Sequence, residues 1–178
     1  FLSNKKSNVK EKNNPFAVNL YVLGYNSDKH LSSLNRAVKE NVKTYLNEFR
    51  VLTDGVNLMD GFIINIGLDF SIRVYRDYNK REVLTNCITA LKEHFEIDKW
   101  TFNMPINIGE VEMLIGNIEG VQSVVECEFK NLCGESSGYS PNAYDVLAAT
   151  KNKQIYPSLD PSIFEVKYPD RDIRGRVV

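Results

Sequence analysis

The clearest pattern in the chain is an alternation of apolar and polar residues that runs from 62 to 75. A period of two predicts a strand with one face buried, because successive side chains of a strand point to opposite faces. This strand would be longer than the usual length of about five or six residues. We expect it to bend at Gly67, where the missing side chain permits a bulge. A second alternating run, from 121 to 129, predicts another strand, with Glu126 and Glu128 on its solvent face.

Three other segments carry apolar residues at helical spacing. In the first segment they recur in steps of three or four residues: Leu34, Val38, Val42, Tyr45 and Phe49. These steps place them on one stripe of an amphipathic helix, for which Ser32 or Ser33 is the expected N-cap. An asparagine followed three residues later by a glutamate opens the other two segments, at 79–82 and 107–110. Because each side chain can bond the backbone N–H of the other residue, both sites predict helix starts.

Weaker patterns and turn residues divide the rest of the chain. We expect strands at 16–23 and 163–168, the second being the last strand, and a short helix at 146–150. Glycine and proline interrupt 131–161, which predicts a long loop, and loops of that length usually bind something or lie against a partner. The elements give an α+β fold, with a mixed β-sheet and helices packed on one face. Their order is β-α-β-α-α-β-(long loop)-β.

Charge at the two ends indicates how the chain is organised. Residues 1–15 are basic and poor in apolar residues, so we predict a flexible basic linker. The α+β core is expected at 16–130. Residues 131–178 are expected to hold the long loop, the final strand and a basic tail that packs on the core or extends from it. Basic ends on an acidic middle would allow head-to-tail contacts in an assembly, and solvated tails are the simpler interpretation.

Composition excludes several classes of protein. The chain has 178 residues, of which 43% are hydrophobic and 25% charged, values typical of a globular protein. No apolar run approaches the roughly 18 residues of a membrane span. A net charge of -1 does not fit a nucleic-acid-binding polycation. Because the chain begins with Phe1 and carries no signal-peptide pattern, we expect a fragment of a longer polypeptide.

The cysteines and histidines form no disulfide or metal-binding pattern. Cys87, Cys127 and Cys133 include no C-x-x-C pair, and the first two are predicted to be small buried residues. His30 lies in a predicted turn. His94 ends a predicted helix, where the helix dipole favours its protonated form. No zinc-ligand spacing is present, so we predict no metal site and no cofactor.

One short motif points to catalysis. Residues 134–138, Gly-Glu-Ser-Ser-Gly, match the G-x-S-x-G nucleophile elbow of α/β-hydrolases, which would make Ser136 the nucleophile of a small serine hydrolase. The elbow requires a helix directly after it, and in that family the histidine follows the serine, whereas both histidines here precede Ser136. A flexible turn is therefore the preferred interpretation, and we predict no catalytic residue. A further alternative is a nucleic-acid accessory protein that uses the lysines of 5–12, whose binding would depend steeply on salt.

Several runs of the sequence, taken in order, resemble a known family. They lie at 20–24 (LYVLG), 31–35 (LSSLN), 42–54 (VKTYLNEFRVLTD), 97–100 (IDKW), 120–122 (GVQ) and 172–175 (DIRG). The alternating run at 63–74 and the helical pattern at 80–95 continue the match. Together these pieces resemble the C-terminal part of the baseplate J-like family, to which the large wedge subunit of contractile-tailed, T-even-like bacteriophage baseplates belongs. The resemblance covers roughly 16–178 of the chain.

The resemblance implies a structural role. Members of this family form the wedges of the tail baseplate, contact neighbouring wedge proteins, and join copies of themselves into a ring around the hub. That ring rearranges when the sheath contracts. The chain would then be a virion protein, assembled in the host cytoplasm, with copies of itself and neighbouring wedge proteins as partners. The resemblance implies no catalytic, cofactor or metal residue, no small-molecule substrate, and no membrane or nucleic-acid partner.

Overall fold

The described part of the chain comprises residues 17–48 and 55–178 of a computed structural model. Contacts within the chain divide it into a smaller unit, Ser3–Phe62, and a larger unit that contains Ile63–Val178. The described residues hold five α-helices and eleven strands, joined by both parallel and antiparallel pairing, which confirms the predicted α+β class. The linker predicted at 1–15 lies outside the described residues, as does Phe49 of the first helical pattern.

The smaller unit is built on two parallel strands and a helix. Strand β1, Ala17–Val22, confirms the predicted first strand and pairs in parallel along its whole length with β4, Gly55–Asp60. A short hairpin of β2, Gly24–Tyr25, and β3, Leu31–Ser32, follows β1, and helix α1, Arg36–Glu48, comes next. Parallel neighbours cannot be joined by a tight turn, so the hairpin and α1 lie in the long connection between β1 and β4.

The first turn of α1 is capped by a residue other than the predicted serines. The Asn35 side-chain oxygen accepts the Val38 N–H at 2.9 Å, so Asn35 is the cap, and the prediction of Ser32 or Ser33 is wrong. Ser32 is paired in the hairpin instead. That pairing keeps the chain extended there, and the helix begins only after it.

The larger unit is organised around one long strand. Strand β5, Phe62–Val74, confirms the predicted alternating strand and is 13 residues long. It pairs antiparallel with β7, Val121–Asn131, and parallel with β11, Ile173–Val177. The two registers overlap on β5, so β7 and β11 lie on opposite sides of it, and β10, Ser162–Glu165, is its third neighbour in a four-stranded sheet. Aliphatic residues of its inner face are fully buried: Ile64, Ile66, Leu68 and Ile72.

Two helices cover the inner face of this sheet. Helix α2, Lys80–His94, lies over β11, helix α3, Ile108–Gly116, lies over β7, and the two helices contact each other. Both begin as predicted, because the side chains of Asn79 and Asn107 accept N–H groups of the first turn at 3.0 and 3.3 Å. Inward positions of both helices are buried: Val83, Cys87, Leu91, Val111 and Ile115. The core of the larger unit therefore lies between the sheet and this helix pair.

Strand β5 is buried on both faces over part of its length, whereas the sequence predicts one buried face. Asn65 and Ser71, which alternate with the aliphatic residues, are each 1% exposed. The segment after β7 folds over the outer face at Asn65, where the Ser140 N–H donates to the Asn65 side chain at 2.7 Å. The sheet is thus covered from both sides at this point.

The bulge predicted at Gly67 is not formed. Gly67 stays in register with Lys130 of β7, and the first break in register lies further along, between Ser71 and Ile72. A Cβ at Gly67 would lie 3.0 Å from Leu132 Cδ1. The glycine therefore permits the segment after β7 to approach the sheet closely.

The residues predicted as a last strand and a basic tail continue the sheet. Strand β10 covers the first part of the strand predicted at 163–168, and helix α5, Pro169–Asp172, follows it. Residues Ile173–Val177 then form β11 inside the sheet, so a solvated tail is wrong for this segment. The inward residues of β11 alternate with arginines, and this charge obscures the strand pattern in the sequence.

A second sheet lies mostly within the predicted long loop. Strands β8, Thr150–Lys151, and β9, Gln154–Ile155, form a hairpin, and β6, Ile106–Asn107, is the other neighbour of β9. Helix α4, Val146–Ala149, precedes them and confirms the short helix predicted there. The region 131–161 is therefore partly regular, with shorter irregular stretches than the sequence pattern predicts.

Candidate interaction surfaces

The smaller unit exposes apolar side chains on its sheet and on its helix. Val18 and Leu20 lie two residues apart on β1, so they share one face of the strand pair, and they are 62% and 39% exposed. On α1, Val38 and Tyr45 are 40% and 62% exposed, and no described residue of the helix is buried. Part of the predicted apolar stripe therefore faces solvent. Exposed apolar patches mark surfaces that bind other proteins.

The strand pair of the smaller unit is small for an independent sheet. Stable sheets usually have three or more strands or a packed layer, whereas among the described residues β1 and β4 pair with each other alone. The Asn57 side-chain amide donates to Asn19 Oδ1 across the pair at 3.0 Å. Lys39 of α1 and Asp60 of β4 form a salt bridge at 2.6 Å, which fixes the helix to the strand. Within the described ranges, no further strand pairs with the outer edges of β1 and β4.

Further exposed apolar residues lie in the predicted long loop. Leu147 and Tyr156 are exposed, and Leu159 is fully exposed. The sequence predicts partner contact for this loop, and these side chains are the ones that such a contact would bury. Asn103 fixes the end of the turn that carries Leu159, because its N–H donates to the Ser162 carbonyl oxygen at 2.8 Å and its side-chain oxygen accepts the Ser162 N–H at 3.3 Å.

The segment that follows β7 is held on the sheet by hydrogen bonds to the buried Asn65. The Asn65 side-chain oxygen accepts the Ser140 N–H, and its amide nitrogen donates to Glu165 Oε2, both at 2.7 Å. Its main-chain carbonyl oxygen accepts the Leu132 N–H and the Asn131 side-chain amide, both at 2.9 Å. Asn65 thus joins β5, β10 and the segment after β7 in one polar network.

Two side chains take the place of a strand beside the first residues of β5. The Ile63 carbonyl oxygen accepts the Ser140 hydroxyl at 2.7 Å and the Asn142 amide at 3.0 Å. Strand β7 ends at Asn131, before this point, so these side chains bond a group that a longer strand would otherwise bond. These groups are partly buried, and because they already have protein partners they indicate a structural role.

A cluster of two tyrosines and an arginine fastens the same segment to α5. The Arg171 guanidinium lies over the rings of Tyr139 and Tyr168, 4.9 and 4.7 Å from their centroids, and its Nε donates to the Tyr139 hydroxyl at 3.1 Å. That hydroxyl donates to the buried Asp172 carboxylate at 2.5 Å. Burial, together with the hydrogen bond to Asp172, raises the pKa of Tyr139 above its ordinary value. The phenol therefore stays protonated and keeps this hydrogen bond at neutral pH.

The uncovered part of the outer sheet face is strongly charged. It forms a groove of about 230 Å³ whose charged lining comprises three acids and three bases: Asp69, Glu126, Glu128, Lys130, Arg174 and Arg176. Lys130 bonds Asp69 at 2.8 Å and Glu128 at 3.3 Å, and Arg176 bonds Glu126 at 2.9 Å. The bond to Asp69, with that to Glu128, raises the pKa of Lys130. Sequence reasoning missed the arginines, although their alternation with apolar residues was a signal that could have found them.

Neither a metal cluster nor a membrane span is found in the described part of the chain. Its histidine, cysteine and carboxylate side chains form no group of three or more that could hold a metal ion. None of its helices is both long and apolar enough to cross a membrane. No protein-family model matches the chain, and no curated protein matches it significantly. The exposed surfaces of the two units are the features on which a functional proposal can rest.

Ser136, the candidate nucleophile, lies in a short 3-10 turn, Glu135–Ser137. Its side chain is exposed and forms no hydrogen bond within the described residues. Gly138 follows with a left-handed φ of 82°, and the chain continues without a helix until α4. The turn-to-helix geometry of a nucleophile elbow is therefore not formed here. The lysines of 5–12, on which the nucleic-acid alternative depends, lie outside the described residues.

His94 ends α2 as predicted, but its surroundings favour the neutral form. Its ring packs edge-on against Phe95 and Trp100, at 4.9 and 6.1 Å between ring centroids. Burial lowers the pKa of His94 below its ordinary value, by more than the charge of Glu110 raises it. The predicted preference for the protonated form is therefore wrong. His30 lies in the hairpin turn of the smaller unit, in agreement with the predicted turn.

The three cysteines are free thiols in different surroundings. Cys87 is fully buried in α2, which confirms the prediction, and burial raises its pKa to about 11. Cys127 is only partly buried, so the predicted burial is wrong for this residue, yet burial still raises its pKa to about 12. Cys133 is exposed.

Proposed function

We propose that the chain is a structural component of the baseplate wedge of a contractile phage tail. In this role it contacts copies of itself and neighbouring wedge proteins, and it helps to form the ring around the hub that rearranges when the sheath contracts. The sequence resemblance supports the proposal. The observation that carries it is the exposure of four apolar side chains in the smaller unit, Val18 and Leu20 on β1 and Val38 and Tyr45 on α1, which are together called its apolar surface.

This surface has the chemistry of a protein-binding site. Fully burying an exposed aliphatic or aromatic side chain contributes about 1.5–3 kcal/mol. The four residues retain roughly half of their area in solvent, so their burial by a partner would contribute about 4 kcal/mol. Two of them lie on β1, where a partner strand would also gain main-chain hydrogen bonds at the open edge. A subunit that works by assembly needs both contributions.

The larger unit supplies rigidity in this proposal. Its central strand β5 bonds three neighbouring strands, and α2 and α3 close the core beneath it. The Asn65 network and the stacked Arg171 fix the segment after β7 on the opposite side. A part that transmits movement between neighbours has to keep its own shape, and this body meets that requirement.

Labelling of intact virions tests the proposed location. An antibody raised against the purified chain is expected to bind at the distal end of contractile tails in electron micrographs, where the baseplate lies. Phage from which the gene has been deleted are expected to lack complete tails and to bind no antibody. The proposal would be refuted if the antibody bound only to capsids, or if the deletion phage were infectious and had complete tails.

Substitutions test the surface itself. Val18→Asp combined with Tyr45→Asp is expected to weaken association with wedge partners about 30-fold, since it removes about 2 kcal/mol of apolar burial. Yield of complete tails from phage carrying the double variant measures the effect. Asn41→Asp, at an exposed polar position of the same helix, is the matched control. Circular dichroism verifies that both variant proteins are folded. If they are, equal yields of complete tails from phage with the double variant and phage with Asn41→Asp would show that this surface is not an interface.

A further inference from the structure

Two rows of the uncovered sheet face separate their charges by strand, while Lys130 in the next row of β7 neutralises part of the acidic side. Glutamates stand on β7 and arginines on β11, with β5 between them. The registers of the two strand pairs align these residues in two rows: Glu128, Asp69 and Arg174 in one, and Glu126, Ser71 and Arg176 in the other. Paired residues of neighbouring strands point to the same face. Within these two rows, the glutamates form an acidic column and the arginines form a basic column.

The two columns only partly neutralise each other. Neighbouring strands are about 4.8 Å apart, so the columns stand about 10 Å apart. Arg176 reaches across to Glu126 at 2.9 Å, and both side chains remain largely exposed. Arg174 has no carboxylate partner within the described residues, and its Nε donates to the Arg171 carbonyl oxygen at 3.0 Å. Glu128 is bonded to Lys130 of its own chain at 3.3 Å, so Arg174 is the charge of these rows that still lacks an opposite partner in the described part of the chain, and the exposed glutamates remain accessible to a second copy.

Twofold symmetry makes this face complementary to itself. When two copies face each other across a twofold axis parallel to β5, the rotation exchanges left and right, so the acidic column of each copy lies over the basic column of the other. An axis across the strands would place like charges together. Closed twofold contacts are the commonest in soluble oligomers. The residues of β5 between the columns add little charge repulsion between the two copies. Asp69 is already bonded to Lys130 at 2.8 Å, and Ser71 is buried.

We infer that two copies of the chain pack face to face through this surface, with Glu126 and Glu128 of each copy against Arg174 and Arg176 of the other. The inference rests on the proposed assembly function, for which it names one partner and the surface that binds it. The three acids and three bases of the groove balance, which favours a self-complementary partner over a uniformly charged one such as a nucleic acid. Because exposed charge pairs are screened by ions, this association weakens as salt rises.

Two complementary charge reversals test the inference. The all-acidic variant carries Arg174→Glu and Arg176→Glu, and the all-basic variant carries Glu126→Lys and Glu128→Lys. Sedimentation velocity of the wild-type chain is expected to show a monomer–dimer equilibrium that shifts to monomer as salt is raised. Each variant alone is expected to sediment as a monomer at low salt. An equimolar mixture of the two variants is expected to dimerise.

Equal charge changes elsewhere provide the control. Lys80→Glu with Arg81→Glu, at exposed positions of α2, is expected to dimerise like the wild type. Circular dichroism establishes that each variant is folded. If the all-acidic variant is not, Arg174→Gln with Arg176→Gln removes the same pairs without adding repulsion, and it should lower the dimerisation constant about tenfold, by the loss of about 1.4 kcal/mol.

Three results would overturn the inference. They are a wild-type chain that stays monomeric at every concentration and salt, charge variants that dimerise as the wild type does, and a mixture that does not dimerise. The second result would place the contact between copies elsewhere, and the third would indicate that another protein occupies the face. None of them changes where an antibody binds on the virion, so failure of the inference remains distinguishable from failure of the proposed function.

Discussion

Packing around Gly175 makes a quantitative prediction about the core of the larger unit. Gly175 of β11 lies opposite Phe70 of β5 and beneath Leu84 of α2. A Cβ added there would lie 2.7 Å from Leu84 Cδ1 and 2.8 Å from Phe70 Cε1. Carbon atoms in contact normally stay about 3.5–4.0 Å apart, so both side chains would have to move by about 1 Å. The backbone of Gly175 is not left-handed, so space alone decides the outcome.

Gly175→Ala is therefore expected to destabilise the larger unit. Overpacking a buried site costs about 1–3 kcal/mol, and alanine recovers about 0.4–1 kcal/mol by restricting the unfolded chain, which leaves a net loss of about 1–2 kcal/mol. Gly116→Ala is the matched control, because no atom lies within 4 Å of the added Cβ and the residue is in α3. That substitution is expected to stabilise by about 0.5–1 kcal/mol.

Urea denaturation followed by circular dichroism measures both variants against the wild type. A lower midpoint is expected for Gly175→Ala and a higher one for Gly116→Ala, with little change in the slope of the free energy of unfolding against urea. Equal midpoints for the two variants would refute the close packing of Phe70 and Leu84 on β11.

Three further predictions concern other groups of the larger unit. Asn65→Ala should lower its stability by about 2–4 kcal/mol, because it removes hydrogen bonds to the buried Glu165 and to the segment after β7; a loss below about 1 kcal/mol in urea denaturation would contradict the network. In the native protein at mildly alkaline pH, Cys133 should be the thiol that reacts rapidly with a disulfide reagent. It is exposed, whereas burial raises the pKa of Cys127 to about 12. Rapid reaction of a second thiol without denaturant would contradict this prediction. Stability should fall as pH drops from 6.5 toward the lower folded pKa of His94, because the unfolded state then binds a proton that the folded state does not. His94→Gln should flatten this dependence of the urea midpoint on pH, and equal slopes in the two proteins would count against it.

The features that the sequence predicts correctly are those decided by local chemistry. Asn79 and Asn107 cap the helices assigned to them, since a cap needs only a side-chain oxygen and an N–H group two or three residues away. Strand β5 is recognisable because every residue of its inner face is apolar, and a strict period of two has no other simple explanation.

The features that the sequence misses depend on residues distant along the chain. Strand β11 pairs with β5, but Arg174 and Arg176 between its apolar residues make it resemble a basic tail. The burial of Asn65 depends on Ser140 and Glu165, which are 75 and 100 residues away. No local pattern contains such pairings.

Some of the candidate surfaces could likewise be predicted from the sequence, and others could not. Leu147 and Leu159 are exposed in the region that the sequence assigns to partner contact, which glycine and proline mark as a long loop. The exposure of Val38 and Tyr45 was not predictable, since an amphipathic pattern predicts a helix without showing what covers its apolar side. The charge columns require the strand register, which only the folded sheet defines.

The bonds to the Ile63 carbonyl also affect how the protein tolerates crowding. A bare strand edge can recruit a strand from another molecule and start uncontrolled aggregation. Ser140 and Asn142 occupy the acceptor that an intruding strand would use, and they add no new edge of their own. An intruding strand therefore finds one acceptor fewer at this end of β5, which makes edge-to-edge growth from it less favourable.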